Sequence, residues 1–106
     1  MSKVSLRYSA TAASDMAAIY QTIANRAGPL TALRYTERLR SRIDRIALAP
    51  DAGRLRNDLK AGVRIAGFER RCAIAYMFGD GEVVILNVFY GGRDYESLFR
   101  DPATQD

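Results

Sequence analysis

The run from Glu82 to Tyr90, EVVILNVFY, is the feature of this sequence that most limits the possible fold. Its side chains are apolar at odd and at even positions, apart from Glu82 and Asn87. Successive side chains of a strand point to opposite faces of a sheet, so a strand that is apolar on both faces must be covered on both sides. The sequence therefore predicts a central strand with material packed above and below it.

The two segments before this run predict antiparallel neighbours for it. Residues 70–78 alternate between the two faces of a strand, and Gly79-Asp80-Gly81 has the composition of a hairpin turn. Val63 to Phe68 predicts a further short strand. In residues 70–78 one face is predicted to carry Cys72, Ile74, Tyr76 and Phe78, and the other Arg71, Ala73, Ala75 and Met77. Together the three segments predict an antiparallel meander.

The first half of the chain has a helical period instead. Lys3 to Tyr8 alternates like a strand with one buried face, and Ser9 or Thr11 can cap the helix that follows. Apolar residues then recur at helical spacing in two stretches, which Gly28-Pro29 separates. The first stripe is Met16, Ile19, Tyr20, Ile23 and Ala27, and the second, in a helix predicted over 30–49, is Ala32, Tyr35, Leu39, Ile43 and Ile46. Two helices joined by so short a break should pack antiparallel as a helical hairpin.

The remaining segments complete the predicted architecture. Residues 50–53 predict a turn, and the polar residues up to Gly62 predict a surface connection. After Gly91-Gly92, Asp94 can cap a last short helix that carries Tyr95, Leu98 and Phe99. We therefore expect one α+β domain over residues 1–106: an N-terminal strand, an antiparallel helical hairpin, a three-stranded antiparallel meander and a short C-terminal helix.

Charge and composition limit the function classes. The formal net charge is +4, and only Lys3 and Lys60 among the sixteen basic residues are lysines. Arginine pairs with carboxylate or phosphate through a planar fork, so the surface suits an acidic partner. The chain has no histidine and a single cysteine, Cys72, which excludes Ser/His/Asp triads and an internal disulfide. We expect a cytoplasmic protein with no membrane span, no metal ion, no cofactor and no small-molecule substrate.

Five stretches in order resemble one known family. They are YSATAASDMAAIYQTIA, ALRYTERLRSRIDRIALAPDAGRLRNDL, GVRI, AIAYMF and VVILNVFYGGRD. From Tyr8 to about Arg100 the chain resembles the ParE/RelE toxins of bacterial toxin-antitoxin pairs, and the ParE branch more closely. The resemblance implies a toxin that an antitoxin wraps and neutralises. RelE-branch members cleave messenger RNA on the ribosome, whereas ParE-branch members inhibit DNA gyrase.

The residues that carry RelE-branch chemistry are largely missing here. Cleaving RNA from its own 2′-hydroxyl needs a proton acceptor, a cation for the developing charge and an acid for the leaving oxygen. Arg93 falls where the resemblance places one RelE-branch arginine, but the other falls at Ala73 and the C-terminal tyrosine falls at Phe99. We therefore expect a ParE-like gyrase inhibitor with a ParD-like antitoxin and no catalytic residues. The alternative is a ribosome-dependent endonuclease in which Arg71 replaces the missing arginine.

Four of the candidate partner-binding residues lie in residues 70–78, on the predicted sheet face opposite the helices, and the other three follow Gly92, at the corner and in the predicted last helix. In chain order they are Arg71, Ala73, Ala75, Met77, Arg93, Leu98 and Phe99. The small and apolar members would leave an uncovered strip, and monomers seldom expose a large one. Either the last helix covers it or an antitoxin does. Arg93 has an alternative role as an anchor of the corner after the two glycines, and the Arg34, Arg38, Arg42 and Arg45 stripe is either a solvated helix face or a docking surface.

Overall fold

The sequence break at Gly28-Pro29 and the hydroxyl of Ser9 determine where the helices begin and end. In the computed structural model, which describes residues 4–92 and 95–96, strand β1 (Ser5–Tyr8) leads into α1 (Ala10–Ala27) and α2 (Pro29–Ile46). Ser9 caps α1, since its hydroxyl accepts from the Ala12 amide at 3.0 Å, so Ser9 rather than Thr11 is the cap. Gly28 ends α1 at φ 93°, and Pro29 opens α2.

The described strands form one five-stranded sheet. After α2 come β2 (Arg54–Leu55), β3 (Arg64–Phe68), β4 (Cys72–Gly79) and β5 (Glu82–Tyr90), in the spatial order β1-β5-β4-β3-β2. β1 runs parallel to β5, and the other neighbours are antiparallel. The α+β prediction with a helical hairpin and an antiparallel meander is confirmed, and β5 lies inside the sheet between β1 and β4.

The end of α2 and the polar connection after it differ from the sequence prediction. Helix α2 ends at Ile46, three residues before the predicted end, and a turn follows it. The polar connection contains the edge strand β2, which pairs Arg54 with Ile65 and Leu55 with Arg64. Because two exposed residues are too short to show a period, no sequence pattern could indicate this strand.

Buried clusters cover both faces of β5, and a β-bulge within the strand changes which of its residues face the helices. Ala75 pairs with Asn87 but Tyr76 pairs with Ile85, so Leu86 is an extra residue on β5. Val83 and Ile85 before the bulge and Val88 after it all belong to the core between sheet and helices. Their positions change from odd to even at the bulge, and Leu86 packs with the cluster on the opposite face.

The outer face of the sheet has its own small core. Leu59, Val63, Ala75 and Phe89 are buried together there. Leu59 and Val63, which cover the sheet at this point, come from the connection between β2 and β3. The polar residues up to Gly62 were predicted only as a surface segment, and Val63 was predicted as the first residue of a strand, which begins at Arg64 instead. Phe78, predicted on the same face as Tyr76, is 43% exposed near the end of β4. Tyr95 and Glu96 are helical, and the rest of the predicted last helix, with Asp94, Leu98 and Phe99, lies outside the described residues.

Neither α1 nor α2 has the length and apolar character that a membrane-crossing helix needs, and the same holds for every helix in the described part of the chain.

Candidate partner-binding site

A groove of about 490 Å³ lies on the outer face of the sheet, at the end where β3 turns into β4. We call it the outer-face groove and define it by residues of three kinds. The cations are Arg54, Arg70 and Arg71, the floor is Ile65, Gly67, Ala73 and Phe89, and Tyr95 lies at one end. The groove therefore combines an apolar floor with positively charged sides.

The floor is low because two neighbouring strands carry small residues in register. Gly67 of β3 lies opposite Ala73 of β4, which in turn lies opposite Phe89 of β5. A β-carbon at Gly67 would meet no atom within 4 Å, so the space above this position is open. Phe89 is buried and stacks on Tyr95 with ring centroids 5.7 Å apart and an interplanar angle of 22°. The aromatic pair therefore links the floor of the groove to Tyr95 at its end.

The cationic side depends on a tight turn between β3 and β4. Glu69 (φ 48°) and Arg70 (φ 62°) both have left-handed backbone conformations, and the Arg71 amide donates to the Phe68 carbonyl at 3.3 Å. Two successive positive φ values match a type I′ turn, which usually contains glycine or asparagine. A non-glycine residue in this conformation costs of order 1 kcal/mol, so contacts elsewhere must hold the turn.

Arg38 of α2 supplies such a contact. Its guanidinium donates to both carboxylate oxygens of Glu69, at 2.9 Å and 3.0 Å, and lies 5.4 Å from the centre of the Tyr35 ring. The paired geometry fixes the turn relative to the helix. It also neutralises Glu69, while Arg54, Arg70 and Arg71 form no ion pair with residues 4–92 or 95–96. The outer-face groove therefore keeps a net positive charge.

The Arg38–Glu69 pair predicts a pH effect. The hydrogen bonds from Arg38 hold the pKa of the Glu69 carboxyl below its usual range. The contribution of the pair to stability is therefore complete above an ordinary glutamate pKa of about 4.3 and is lost as the pH falls through the lower folded-state pKa. We expect Arg38→Gln to raise the Glu69 pKa and Arg34→Gln on the same helix to leave it unchanged. A carboxyl NMR titration measures both, and an unchanged pKa in Arg38→Gln would contradict the assignment.

Two described lining residues of the groove have shifted pKa values, and neither titrates near neutral pH. Of its lining residues, Glu69 has a lowered pKa because of Arg38, and burial raises the pKa of the Cys72 thiol. Both shifts move the group away from neutrality, so Glu69 stays ionised and Cys72 stays a thiol at pH 7. The arrangement is suited to binding acidic and apolar groups through fixed charge and contact area.

A second set of contacts fixes the segment around residues 56–63 and the residues that follow β5. The Arg56 guanidinium, with a side chain only 12% exposed, binds Asp58 at 2.7 Å and Glu96 at 2.9 Å. This holds Tyr95 and Glu96 close to the connection that covers the sheet. The outer face is thus built from the strands of the sheet, the connection between β2 and β3, and the residues at 95–96.

The structure separates the candidate residues predicted from sequence. Arg71 is exposed and Ala73 is half-buried, and both line the outer-face groove. Ala75 is fully buried beneath Leu59 and Val63, so the expected open strip is closed at this position. Met77 is half-buried and is not among the groove residues. The other three candidates, Arg93, Leu98 and Phe99, lie outside the described residues.

Sequence reasoning did not assign Arg54, Arg70 and Phe89 to the site. Arg54 lies on the two-residue edge strand, and Arg70 owes its position to the left-handed turn, so neither has a periodic signal. Phe89 was predicted to be buried, but its place on the outer face depends on the bulge at Leu86. The run of alternating small residues in β4 was the signal that indicated this face.

Comparison with known proteins agrees with this architecture. No curated protein matches the chain significantly. A solved chain described as "Chromosomal ParDE TA system from P. aeruginosa" shares 24% identity, with 84% of this chain and 97% of that chain covered and a TM-score of 0.75. At this identity the likeness shows a common fold. Residues 6–95 match the sequence profile of a family described as "ParE toxin of type II toxin-antitoxin system, parDE". Because that match covers most of the sequence, the chain belongs to the ParE toxin family.

Proposed function

We propose that this protein is a cytoplasmic toxin that inhibits DNA gyrase and that a ParD-like antitoxin neutralises it. Membership of the ParE family supports the toxin class, and the likeness to a ParDE chain supports an antitoxin partner. The observation that carries the proposal is the outer-face groove, because it offers a protein partner an apolar floor and three arginines that form no ion pair within the described residues. The pKa of the Glu69 carboxyl and the pKa of the Cys72 thiol are both shifted away from neutral pH, which disfavours acid-base cleavage of RNA by these groups.

The proposed antitoxin segment has a definite chemistry. It presents apolar side chains to Ala73 and Phe89 and carboxylates to Arg54, Arg70 and Arg71. Met77, Arg93, Leu98 and Phe99 remain proposed contacts from the sequence, whereas Ala75 is buried beneath Leu59 and Val63. Charged residues at the edge of such an interface set the rate of association and the register, while the apolar contacts supply area.

The target is tested with two assays on the same purified protein. We expect the toxin to stop supercoiling by DNA gyrase and to leave messenger RNA on translating ribosomes intact. Adding the antitoxin encoded in the neighbouring reading frame should restore supercoiling. Cleaved messenger with normal supercoiling would instead identify a ribosome-dependent endonuclease that uses Arg71 and Arg93.

Charge reversal tests the groove. We expect Arg71→Glu to weaken antitoxin binding by roughly tenfold, because an attractive contact worth about 1 kcal/mol becomes a repulsive one. Arg34→Glu makes the same charge change on an exposed position of α2 away from the groove and should have little effect. Binding is measured by calorimetry, with circular dichroism to confirm that both variants fold. Equal losses in the two variants would show a general charge effect instead of a site.

A further inference from the structure

A second cleft, of about 310 Å³, lies between α1 and the last residues of β5. We call it the α1–β5 cleft. Ala18, Ile19 and Val88 form its apolar surface, Arg26 and Arg71 lie at its sides, and Asp15 lines it as well. Arg71 also lines the outer-face groove, so the two depressions adjoin at this residue.

The cleft exists because β1 is shorter than β5. β1 pairs with β5 only from Glu82 to Ile85, so the second half of β5 has no described strand on that side. Side chains at the start of α1 satisfy the first free backbone groups. The Ser9 hydroxyl donates to the Leu86 carbonyl at 2.8 Å, and the Asp15 carboxylate accepts from the Val88 amide at 2.8 Å.

Beyond the Val88 amide, no described strand pairs with this edge of β5. The Gly91 amide donates to the Arg71 carbonyl at 2.9 Å, on the β4 side of β5. Because successive residues of a strand direct their backbone groups to opposite sides, Tyr90 points its N–H and C=O away from β4, as Val88 does. Val88, Tyr90 and Gly91 all line the cleft. A strand edge of this kind is a template for an added extended segment.

The side chains indicate what such a segment carries. Arg26 and Arg71 are exposed, and neither forms an ion pair within the part of the chain that the structure describes. Two cations with an apolar surface between them suit carboxylates that alternate with apolar side chains. A phosphodiester backbone fits less well, because it has no donor for the Val88 carbonyl.

We propose that the α1–β5 cleft binds a short extended acidic peptide segment, which pairs with the Val88 carbonyl and the Tyr90 backbone groups at the edge of β5 and directs its carboxylates to Arg26 and Arg71. This rests on the proposed function only in taking the partner to be a protein, and gyrase need not be the target. The segment extends the partner surface from the outer face of the sheet to the helical face.

A peptide and an oligonucleotide of matched charge distinguish a protein occupant from a nucleic-acid occupant. The ¹⁵N-labelled full chain is titrated with an acetylated, amidated five-residue peptide of alternating glutamate and valine, and separately with a short single-stranded DNA. We expect the peptide to shift the amide signals of Thr22, Arg26, Arg71 and Tyr90. Stronger shifts of these amides by the DNA, shifts confined to the outer-face groove, or no binding of the peptide would overturn the proposal.

Two alanines of α1 provide a matched pair of variants. Ala18 lines the cleft and Ala17, its neighbour on the helix, does not, and both are exposed. We expect Ala18→Phe to fill the cleft and weaken peptide binding by more than roughly fivefold, and Ala17→Phe to leave it unchanged. Equal behaviour of the two variants would refute the site.

Arg26→Gln tests the same site without adding bulk, so the proposal can be judged even if Ala18→Phe does not fold. We expect a loss of roughly fivefold in peptide affinity, the size of one exposed ion pair. Unchanged affinity would contradict the role of Arg26. Because the readout is peptide binding, a toxin that fails to inhibit gyrase leaves this result intact, and a toxin that inhibits gyrase but binds no peptide at the cleft refutes this inference alone.

Discussion

Replacing Leu39 with alanine is expected to lower the free energy of unfolding by about 3–5 kcal/mol. Leu39 is completely buried in the middle of α2 and belongs to the core between the helices and the sheet. Alanine would remove three buried carbon atoms and leave a cavity among the residues that pack around Leu39. Since a domain of this size is stable by only about 5–15 kcal/mol, the loss is a large share of the total.

Leu33→Ala is the matched control on the same helix. Leu33 is 47% exposed, so its truncation should change the free energy of unfolding by less than about 0.5 kcal/mol. Urea denaturation followed by circular dichroism measures both variants. Similar losses for Leu39→Ala and Leu33→Ala would mean that α2 does not bury this stripe against the sheet.

Replacing Tyr76 with phenylalanine should cost about 1–3 kcal/mol, although the ring itself is kept. Tyr76 is 1% exposed, and its hydroxyl accepts from the Gly53 amide at 2.9 Å and donates to the Pro50 carbonyl at 2.7 Å. Phenylalanine leaves both backbone groups without this partner. Losing these two bonds also loosens the turn that precedes Arg54 of the outer-face groove. The turn then keeps other bonds, such as the one from the Arg64 side chain to the Gly53 carbonyl at 2.8 Å.

Tyr20→Phe is the control for the lost hydroxyl. Tyr20 is half-buried in α1, and its hydroxyl has no hydrogen bond with any residue of the described chain. Its removal should change the free energy of unfolding by less than about 0.5 kcal/mol. If thermal and urea unfolding show the same small effect for Tyr76→Phe, then the hydroxyl bridge does not hold the turn.

Gly53 explains why this bridge constrains the sequence of the turn. A β-carbon at Gly53 would collide with the Tyr76 hydroxyl and ring. The tyrosine cannot move aside, since it is buried and bonded at both Gly53 and Pro50. The absence of a side chain at residue 53 therefore follows from close approach, although sequence composition indicated only a turn.

The predictability of the outer-face groove differs from residue to residue. Alternation in β4 placed Arg71 and Ala73 on the correct face, because a strand has a strict period of two. It could not show that Ala75 is buried, since Leu59 and Val63 reach it from a connection without any period. Phe89 reaches the groove through the bulge, and a single extra residue leaves no mark in a run that is apolar throughout.

The sequence by itself determined the elements and their family. The 3.6-residue period before Gly28 and after Pro29, the alternation in residues 70–78 and the doubly apolar run before Tyr90 are local patterns, and each follows from how side chains project from one helix or strand. The order of these patterns also indicated the ParE family, which the family match confirms.

Only the tertiary structure decided the shapes of the two candidate binding surfaces. The outer-face groove needs Arg38 to hold the Glu69 turn across 31 positions of sequence, and the α1–β5 cleft needs a strand that stops short of its neighbour. Both depend on where distant segments end relative to one another. Such relations arise from packing and register between elements, and a period within one element carries no information about them.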